Sequence, residues 1–571
     1  MARPFLFDFA PFRRWPRSAT VVAAAAMFAF LPTAQAGRVA PAKPDWFAAA
    51  RSIDLLGEVY RDVAENYVDP VDVSELMFAG IDGMIDKLDP YTDFLDESGT
   101  QELDELTSGQ YAGIGITIAF ISGDLCITSV IEGNAASKAG ILIGDRIVSI
   151  NGSRVRSGSI DEVRAAIRGS VGSTVRLGIE RPGTRGLHEY QLTRSEVRVN
   201  SVGYAGLFGD VGYIEMNSFG ERSFEELRNA VQSLQRQAAS NHGGLKGLVL
   251  DLRGNPGGLL NAAVDVAGMF LDKGSRVVST QGRGAESRME YVTRSAPIVP
   301  SLPLVVLIDG DSASASEIVA GAIQEHDRGV IIGDVSFGKG LVQSIINLPY
   351  DHVLKLTTSK YYTPSGRLIQ KPLARQESAR KVVSSSSAVD STRVFFTDHR
   401  RKVYGGGGIR PDLIVHAPEH SGYEHALEKK GLFFTYASRY RAGHERVVET
   451  ELKDAILLAD FNRFAEGEHF SYRSRSQQTL DSLKAIIGKE YGRDGDGLAS
   501  RLGELEQELS ARASKGLAGD SSRIATAVRL ELLRHYDEKA AHRSSIGVDP
   551  VASKAFSLLA DPRAYRALLR P

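Results

Sequence analysis

The feature that most constrains the fold of this chain is a regular alternation of short apolar strands with helical segments beyond Gly212. Strands separated by helices cannot pair as hairpins, so they align in parallel in one sheet with the helices on its faces. The sequence therefore predicts an α/β layer core. Its strands are expected at residues 213–216, 248–250, 304–308 and 330–332, and its helices from residues 223, 259 and 315.

The first of these helices has a recognisable start. Ser223 and Glu226 stand three positions apart at the head of the helical pattern. In a capping box, such a pair satisfies unpaired amides at the helix end. The sequence therefore predicts a capping box in which these two side chains bond to each other's backbone.

The rest of the chain divides into segments of different character, because 571 residues are too many for a single hydrophobic core. Helical spacing predicts helices at residues 45–67, with an apolar stripe that includes Leu55, and at residues 74–88. Short β-like runs punctuated by glycines predict a compact, mainly β module at residues 108–197. Residues 420–571 are charged and are predicted to be largely helical.

The N-terminus has the layout of a secretory signal peptide. Arg13, Arg14 and Arg17 precede a mostly apolar stretch at residues 19–31, and Ala34-Gln35-Ala36 then offers a cleavage site. The stretch is shorter than the ~20 residues that a membrane-spanning helix needs. The protein is therefore predicted to be exported, to the periplasm, with no stable transmembrane segment after cleavage. An uncleaved inner-membrane anchor remains the alternative.

Composition excludes several classes of function. The formal net charge is only −2, so no basic surface is expected for a nucleic-acid partner. Cys126 is the only cysteine, which rules out an intrachain disulfide and a cysteine-based zinc site. It lies in an apolar run and is predicted to be a buried structural thiol. The sequence shows no spacing typical of metal ligands, so neither a metal nor a cofactor is expected.

A serine-rich segment at residues 309–317 lies between the third predicted strand and its helix. Ser314 has two interpretations there. It can be an N-cap with Glu317 as its capping-box partner. It can equally be a nucleophile whose developing oxyanion meets backbone amides at the helix N-terminus. The local spacing alone does not decide between them.

Topology favours the second interpretation. The strands at 304–308 and 330–332 belong to one β-α-β unit, and loops that follow parallel strands lie at the same edge of a sheet. Lys339, in the loop after the second strand and flanked by glycines, is therefore expected beside Ser314. The loop at residues 253–258 reaches this edge if its strand is also parallel. A nucleophile, a base and amide donors suffice for acyl transfer, although a loop lysine can also be merely solvated.

Several ordered motifs add a family resemblance. They are Ser312-Ala313-Ser314-Ala315-Ser316-Glu317, Phe337-Gly338-Lys339-Gly340 with Val342-Gln343, Asp251-Leu252-Arg253-Gly254-Asn255-Pro256-Gly257-Gly258, Asp89-Pro90-Tyr91 with Phe94-Leu95, and residues 361–367. Over about residues 50–415 the chain resembles the carboxy-terminal processing peptidases, the tail-specific proteases of the S41 type. The resemblance implies an α/β multidomain protein: a crotonase-like αβ protease core, an inserted mainly-β PDZ domain, and helical N-terminal and C-terminal regions.

The resemblance also implies roles for individual residues. Ser314 would be the nucleophile, Lys339 the general base, and Gln343 the side chain that orients the lysine amine. The amide of Ala315 and one further glycine amide would form the oxyanion hole. The further amide would come from Gly257 or Gly258. Glu317 and Glu325 would be accessory acidic residues near the site, and capping stays an open role for Glu317.

Residues 108–197 resemble the PDZ domain of that family. Gly113-Ile114-Gly115-Ile116 is similar to the loop whose amides bind a peptide's C-terminal carboxylate, so a peptide would add as a β-strand. The expected partners are protein or peptide substrates with free C-termini, and a homo-oligomer or an adaptor protein is left open. Hinges are predicted in the linkers at residues 101–110 and 194–205, at Gly109, Gly203 and Gly206.

The sequence thus predicts an exported serine endopeptidase that cleaves exported proteins near their C-termini. A catalytically silent PDZ adaptor on a protease scaffold remains the alternative, and a crotonase-like acyl-CoA enzyme is a weaker one. Residues 419–571 suggest no role of their own. The predicted boundaries are a signal peptide at 1–36, an N-terminal helical region at 37–107, the PDZ domain at 108–197, the protease core at 198–418 with an insertion at about 372–392, and a C-terminal helical region at 419–571.

Overall fold

The computed structural model describes residues 45–155, 159–372, 393–491 and 496–571. The signal peptide predicted at residues 1–36 lies outside these ranges, and so do residues 373–392 of the predicted insertion. Within the described residues, no helix combines the length and the apolar character that crossing a membrane requires.

The first described region is helical. Its elements are α1 (Trp46–Asn66), α2 (Val73–Ile85), β1 (Asp93–Leu95) and α3 (Glu97–Ser108). Asp45 and Asp72 cap α1 and α2, because each carboxylate accepts two backbone N–H groups of the following turn. Both predicted helices are present, but neither contains a buried residue. The apolar stripe predicted on α1 therefore faces solvent, with Leu55 66% exposed.

A mainly β module follows. Its elements are β2 (Gln110–Gly113), β3 (Ile116–Ile121), β4 (Asp124–Val130), α4 (Ala135–Lys138), β5 (Arg146–Ile150), β6 (Ser153–Arg154), α5 (Ile160–Ile167), β7 (Thr174–Glu180), β8 (His188–Thr193) and β9 (Ser195–Arg198). The main sheet has the order β3-β4-β5-β7-β8, with β6 beside β5, while β2 and β9 form a separate ribbon. Ile127, Val163 and Leu177 belong to the core between this sheet and α5. β3 is therefore an edge strand.

The central region contains the predicted α/β core. Its elements are β10 (Val202–Phe208), β11 (Val211–Met216), α6 (Ser223–His242), β12 (Gly247–Asp251), α7 (Leu260–Ala267), β13 (Arg276–Gln281), β14 (Met289–Val292), β15 (Leu304–Ile308), α8 (Ala315–Glu325), β16 (Val330–Gly333), β17 (Leu341–Asn347), β18 (Val353–Tyr362), β19 (Val394–Phe396), β20 (Lys402–Tyr404) and β21 (Leu413–Ile414). A six-stranded sheet has the order β10-β11-β12-β15-β16-β21. All its pairs are parallel except β10–β11, so the predicted alternation and the parallel third strand are confirmed.

A second sheet, which the sequence analysis did not predict, completes the core. It has the order β1-β18-β13-β14, and β17 pairs with β18. Val277 and Tyr361 from this sheet share one apolar core with α7, α8 and the six-stranded sheet, so the two helices lie between the sheets. β1 pairs with β18 through Asp93 and Lys355, which ties the segment before the β module into the protease core.

α6 begins at the predicted residue but without the predicted capping box. The hydroxyl of Ser223 accepts the N–H of Gly220 at 2.8 Å and donates to the Ser201 hydroxyl at 2.7 Å. The carboxylate of Glu226 accepts the N–H of Val202 at 3.2 Å. The prediction was wrong because Ser223 bonds to Gly220 and Ser201, and Glu226 bonds to the first residue of β10.

The C-terminal region is helical, as predicted. Its elements are α9 (Gly422–Lys429), α10 (Leu432–Gly443), α11 (Asp454–Gly467), α12 (Arg475–Tyr491), α13 (Asp496–Tyr536), α14 (Glu538–Val548), α15 (Pro550–Leu559) and α16 (Pro562–Leu568). α9, α10, α11 and α13 enclose a core that includes Phe433, Phe461 and Val528. The last helices pack elsewhere: residues such as Val551 and Leu559 cover the second face of the six-stranded sheet.

α15 and α16 are therefore a layer of the protease core and not an appendage. The Tyr565 hydroxyl donates to the carbonyl of Leu304 at 3.0 Å and accepts the N–H of the same residue at 2.9 Å. Asp549 caps α15 by accepting the N–H of Val551 at 2.7 Å, and its second oxygen accepts Arg253 at 2.8 Å. This last contact joins the layer to the loop that follows β12.

The β module rests on the C-terminal helices. Cys126 and Ile143 of the module contact Phe434 of α10, and the hydroxyl of Ser122 donates to the carbonyl of Lys430 at 2.8 Å. Cys126 is buried, as predicted, and burial raises the pKa of its thiol to about 12. It is an unreactive packing residue at this contact.

Only one of the predicted hinge glycines lies in a linker. Gly109 ends α3 with a left-handed φ of 70°. Gly203 and Gly206 lie inside β10, which pairs with β11, so this part of the hinge prediction was wrong. The irregular return to the core is confined to residues 199–201. The module is therefore joined to the rest of the chain through two short segments and not through two long linkers.

Candidate active site

Ser314 lies at the junction between β15 and α8. It is the N-cap of α8, with φ of 53° and ψ of −111°. A positive φ in a non-glycine residue is strained and persists only where the surroundings enforce it. Ser314 and Glu317 have the capping-box arrangement, and the N–H of Ser314 donates to Oε2 of Glu317 at 2.9 Å. The cap fixes the strained backbone and holds the half-buried serine at the helix N-terminus.

The neighbouring serines fasten this loop to the loop that follows β12. The hydroxyl of Ser312 donates to the carbonyl of Leu252 at 2.8 Å, and that of Ser316 donates to the carbonyl of Asn255 at 2.9 Å. The carbonyl of Asn255 also accepts the N–H of Ala313 at 3.0 Å. Because both serines are fully buried and hydrogen-bonded, they hold the loops together.

Gly257 lies directly against Ser314. A Cβ at position 257 would stand 2.8 Å from both the Ser314 Cβ and the Ala315 nitrogen, and φ there is 101°. Only glycine fits such a position. The N–H of Gly257 donates to Oδ1 of Asn255 at 2.9 Å and is thereby occupied. Of the predicted oxyanion donors, the N–H groups of Ala315 and Gly258 are left without a hydrogen-bond partner in the described chain.

A buried carboxylate joins the serine loop to the lysine loop. Oε2 of Glu317 accepts the N–H groups of Ser314 and Lys339, each at 2.9 Å. Oε1 accepts the N–H of Gly338 at 2.7 Å and the Ser336 hydroxyl at 2.5 Å. Burial raises the pKa of Glu317 to about 7, against the effect of these four donors. The predicted meeting of the two loops is confirmed.

The side chain of Lys339 is partly buried. Its Nζ stands over the ring of Tyr91, 4.7 Å from the centroid. Burial lowers the pKa of Lys339 to about 8, with a further lowering by Lys355 and opposing effects of Asp89 and Glu317. This is the range in which a lysine can act as a base near neutral pH. Within the described residues, no hydrogen bond joins the Ser314 hydroxyl to this amine.

Gln343 lies on β17, close to the pocket but not bonded to the lysine. Its Nε2 donates to the Thr357 hydroxyl at 3.1 Å, and that hydroxyl donates to Oδ1 of Asp89 at 3.1 Å. The contact with the amine that the resemblance implied is therefore not made in this structure. Gln343 instead supports the wall of the pocket through Thr357.

Glu325 is not part of the site. It lies at the other end of α8, about 16 Å from Ser314 at the helical rise of 1.5 Å per residue. Its fully buried carboxylate pairs with Arg367 and accepts the N–H of Ser365 at 2.6 Å. The accessory role expected for Glu325 is replaced by a structural one, because the buried pair anchors the turn after β18.

Sequence reasoning missed three residues of the pocket. Tyr361 donates its hydroxyl to the carbonyl of Ser314 at 3.2 Å. Asp89 and Tyr91 border the lysine, although Asp89 and its partner Thr357 are 268 positions apart. The motif Asp89-Pro90-Tyr91 contributes to the family resemblance. No local pattern, however, indicates a contact over that distance.

The predicted carboxylate-binding loop lies at the head of the edge strand β3. Gly113 ends β2, Ile116 begins β3, and Gly115 between them has a φ of 78°. A Cβ at Gly115 would stand 2.4 Å from the side chain of Asn134, so the position requires glycine. β3 has one strand neighbour among the described elements and is therefore an edge strand, the kind of strand to which a peptide adds.

Metal ligands are not gathered anywhere in the described part of the chain. No group of three or more histidine, cysteine, aspartate and glutamate side chains is placed to hold an ion there.

Family comparisons agree with this architecture. Residues 210–375 match the model described as peptidase family S41, and residues 126–181 match a PDZ domain. Residues 423–559 match the model described as probable PDZ-protease, C-terminal helical domain, so the helical region has a family counterpart that sequence reasoning missed. Fold and matches together define an S41 peptidase that carries a PDZ domain and a C-terminal helical domain.

Individual relatives show which S41 proteases this chain is similar to. A carboxy-terminal-processing protease of Bartonella bacilliformis is 33% identical over 425 residues, which are 73% of this chain and 89% of that protein. The carboxy-terminal processing protease CtpA of Bacillus subtilis is 33% identical over 319 residues, 56% of this chain and 66% of that protein. Among solved structures, a photosystem II D1 C-terminal processing protease is 29% identical and covers 55% of this chain and 89% of its own, with a TM-score of 0.32. This chain belongs to the carboxy-terminal processing proteases of family S41.

Proposed function

We propose that this chain is an exported serine endopeptidase in which Ser314 is the nucleophile and Lys339 the general base. The observation that carries the proposal is the shared oxygen of Glu317, which accepts N–H groups from both residues at 2.9 Å. One buried carboxylate thus sets the distance between the two loops. A serine at a strained helix start beside a desolvated lysine is an arrangement that activates a hydroxyl.

The reaction proceeds from these positions. Neutral Lys339 takes the proton of the Ser314 hydroxyl as its oxygen bonds to the carbonyl carbon of the substrate. The carbonyl oxygen becomes an oxyanion that accepts the N–H groups of Ala315 and Gly258. The protonated lysine then gives its proton to the leaving amine. The same lysine then takes a proton from water as the water oxygen bonds to the acyl carbon, and it returns a proton to the Ser314 oxygen as the ester bond breaks. The hydroxyl–amine hydrogen bond forms when substrate fills the cleft, as is common for catalytic bonds.

Replacement of the nucleophile tests this proposal. Ser314→Ala should fold normally but lose peptidase activity by a factor of about 10⁴ or more, because no other group forms the acyl-enzyme. A fluorophosphonate probe should label the wild-type chain and not the variant. The matched control is Ser316→Ala, two residues along the same helix start, which should lose at most about tenfold through a looser loop. Cleavage or labelling of Ser314→Ala at the wild-type level would refute the assignment.

We further propose that the PDZ domain selects substrates by their free C-termini, so that cleavage falls near the ends of exported proteins. The glycine-bearing loop at residues 113–116 and the open side of β3 support this proposal. An extended peptide gains main-chain hydrogen bonds along an edge strand, and its carboxylate can accept amides at the strand's head. Binding moves the domain about Gly109 and residues 199–201 and clears the cleft at Ser314.

Two peptides differing at one group test the PDZ proposal. The rate is measured on a reporter peptide too short to reach the PDZ domain. An uncleavable peptide with a free apolar C-terminus should raise the rate, and the same peptide with an amidated C-terminus should not. A ligand shifts the equilibrium only through its different affinities for the two states. Equal effects of the two peptides would show that the carboxylate is not what the domain reads.

Export is proposed from the basic and apolar residues before Gly37. N-terminal sequencing of the protein from its native compartment should begin at Gly37. A periplasmic chain that still begins upstream of residue 37 would indicate the uncleaved anchor.

The silent-adaptor alternative predicts that the wild-type chain fails to react with the fluorophosphonate probe, so the same labelling experiment separates it from the protease.

A further inference from the structure

The turn at residues 89–92 is fastened to the protease core by its own side chains. Oδ1 of Asp89 accepts the N–H groups of Tyr91 and Thr92 at 2.9 and 3.0 Å, and Oδ2 accepts the Thr92 hydroxyl at 2.9 Å. The hydroxyl of Thr357 on β18 donates to the same carboxylate at 3.1 Å. The N–H of Thr357 donates to the Thr92 hydroxyl at 3.2 Å. The turn is therefore a fixed part of the second sheet.

This fastened turn presents the ring of Tyr91 to the lysine. Nζ of Lys339 stands 4.7 Å from the ring centroid, and the tyrosine is half-buried. The charged groups that face the amine come from three other elements: Asp89 of the turn, Glu317 of α8 and Lys355 of β18. The turn contributes an aromatic ring at the amine.

We propose that Tyr91 and Asp89 are positioning residues for the base: the ring of Tyr91 keeps water from the amine of Lys339, and Asp89 holds the ring in place. This inference rests on the proposed role of Lys339. The chain segment before the PDZ domain is then required for the chemistry, although it lies more than 200 positions before the serine and the lysine.

Two effects of the ring oppose each other. The π face attracts a charged ammonium and so favours the protonated amine. The bulk of the ring removes water and so favours the neutral amine. Burial is the largest influence on Lys339 and the net change in its pKa is downward. If exclusion of water is the larger of the ring's two effects, removing the ring makes the amine easier to protonate.

Direct titration of the lysine tests the inference without relying on activity. In the Ser314→Ala chain, the rate of acetylation of Lys339 by acetic anhydride is followed against pH by mass spectrometry. Adding Tyr91→Ala should raise the titration midpoint by about one pH unit, because water reaches the amine. Tyr91→Phe should keep the midpoint. Tyr91→Leu fills the space without a π face and should keep or lower it. Thr357→Val, which loosens the turn without removing a charge, should raise it.

The set of variants separates the explanations. If Tyr91→Ala lowers the midpoint or leaves it unchanged, the ring does not exclude water and the inference fails. If Thr357→Val leaves the midpoint unchanged, the anchoring by the Asp89 carboxylate is refuted. The matched control is Tyr350→Ala on the hairpin between β17 and β18, where the tyrosine is 89% exposed and no change is expected. Circular dichroism verifies the fold of each variant.

The pH dependence of kcat/KM then distinguishes this inference from the proposed function. In otherwise wild-type chains, the acidic limb should move with the acetylation midpoint, upward in Tyr91→Ala and not in Tyr91→Phe. If the midpoint moves and the acidic limb does not, the ring controls the lysine but Lys339 is not the base. In that case the inference about Tyr91 stands and the proposed mechanism falls.

Discussion

At the scale of single residues, the protonation of Lys339 should set the activity. Its pKa is lowered to about 8, chiefly by burial, so below that pH the amine carries a proton and cannot accept another. kcat/KM should rise about tenfold per pH unit up to about pH 8 and then level off. Lys339→Arg should be inactive at every pH, because a guanidinium stays charged. The cleavage rate of a short reporter peptide, measured against pH, tests the wild-type pH profile and the inactivity of Lys339→Arg.

Gly257 offers a second test at this scale. Gly257→Ala should abolish activity, because a Cβ there would stand 2.8 Å from the Ser314 Cβ and the Ala315 nitrogen. Gly310→Ala, in the same cluster of loops, places its Cβ in open space and should keep near wild-type activity. Reporter cleavage and fluorophosphonate labelling of the Gly257→Ala and Gly310→Ala chains test this difference. An active Gly257→Ala chain would mean that the loop after β12 retreats easily and does not shape the oxyanion site.

For single residues, the sequence predicts contacts within one β-α-β unit and misses contacts between segments that are remote in sequence. Ser314 and Lys339 are found because one β-α-β unit fixes both loops at one sheet edge. Asp89 and Tyr91 are missed because their partners, Thr357 on β18 and Lys339 in the loop before β17, lie beyond the whole PDZ domain. Gln343 is implied by the resemblance, but its side chain bonds to Thr357, since the direction of a strand side chain depends on its neighbours and not on spacing.

At the scale of secondary-structure elements, Tyr565 shows how α16 is held. Tyr565→Phe removes both hydrogen bonds to Leu304 and leaves that buried strand amide unpaired. The free energy of unfolding should fall by about 1–3 kcal/mol, the usual cost of such a buried group. Urea unfolding measures the change. Tyr350→Phe, at a tyrosine that is 89% exposed, should leave stability unchanged. An equally small effect at position 565 would mean that apolar packing alone holds α16.

Elements are predictable where their own sequence carries the signal. The strands β12, β15 and β16 are fully buried, because helices cover both faces of their sheet, and their apolar runs are recognised at once. Most residues of β17 and β18 are half-buried or exposed and include serine, threonine and lysine, so these strands lack a clear apolar pattern. α15 and α16 each begin with an aspartate and a proline, a recognisable start, but nothing in their sequence identifies the sheet as their partner.

At the scale of the whole molecule, the two ends of the described chain should respond very differently to deletion. Removing residues 549–571 uncovers Val249, Val305 and Leu307 on the sheet and should yield insoluble chain without probe labelling. Removing residues 45–66 deletes α1, which contains no buried residue, and should leave a folded chain that still labels. Solubility and fluorophosphonate labelling of both deletions test this contrast. A soluble, labelled chain lacking residues 549–571 would refute the assignment of α15 and α16 as a layer of the protease core.

The layer formed by α15 and α16 also governs the timing of assembly. Leu304 and the tyrosine that satisfies its backbone are 261 positions apart. At about 5–20 residues per second, the ribosome needs on the order of 10–50 s to make the intervening chain. During that interval the sheet lacks its second cover, because Val551 and Leu559 are not yet made. The last segment to leave the ribosome is thus also the last layer of the protease core.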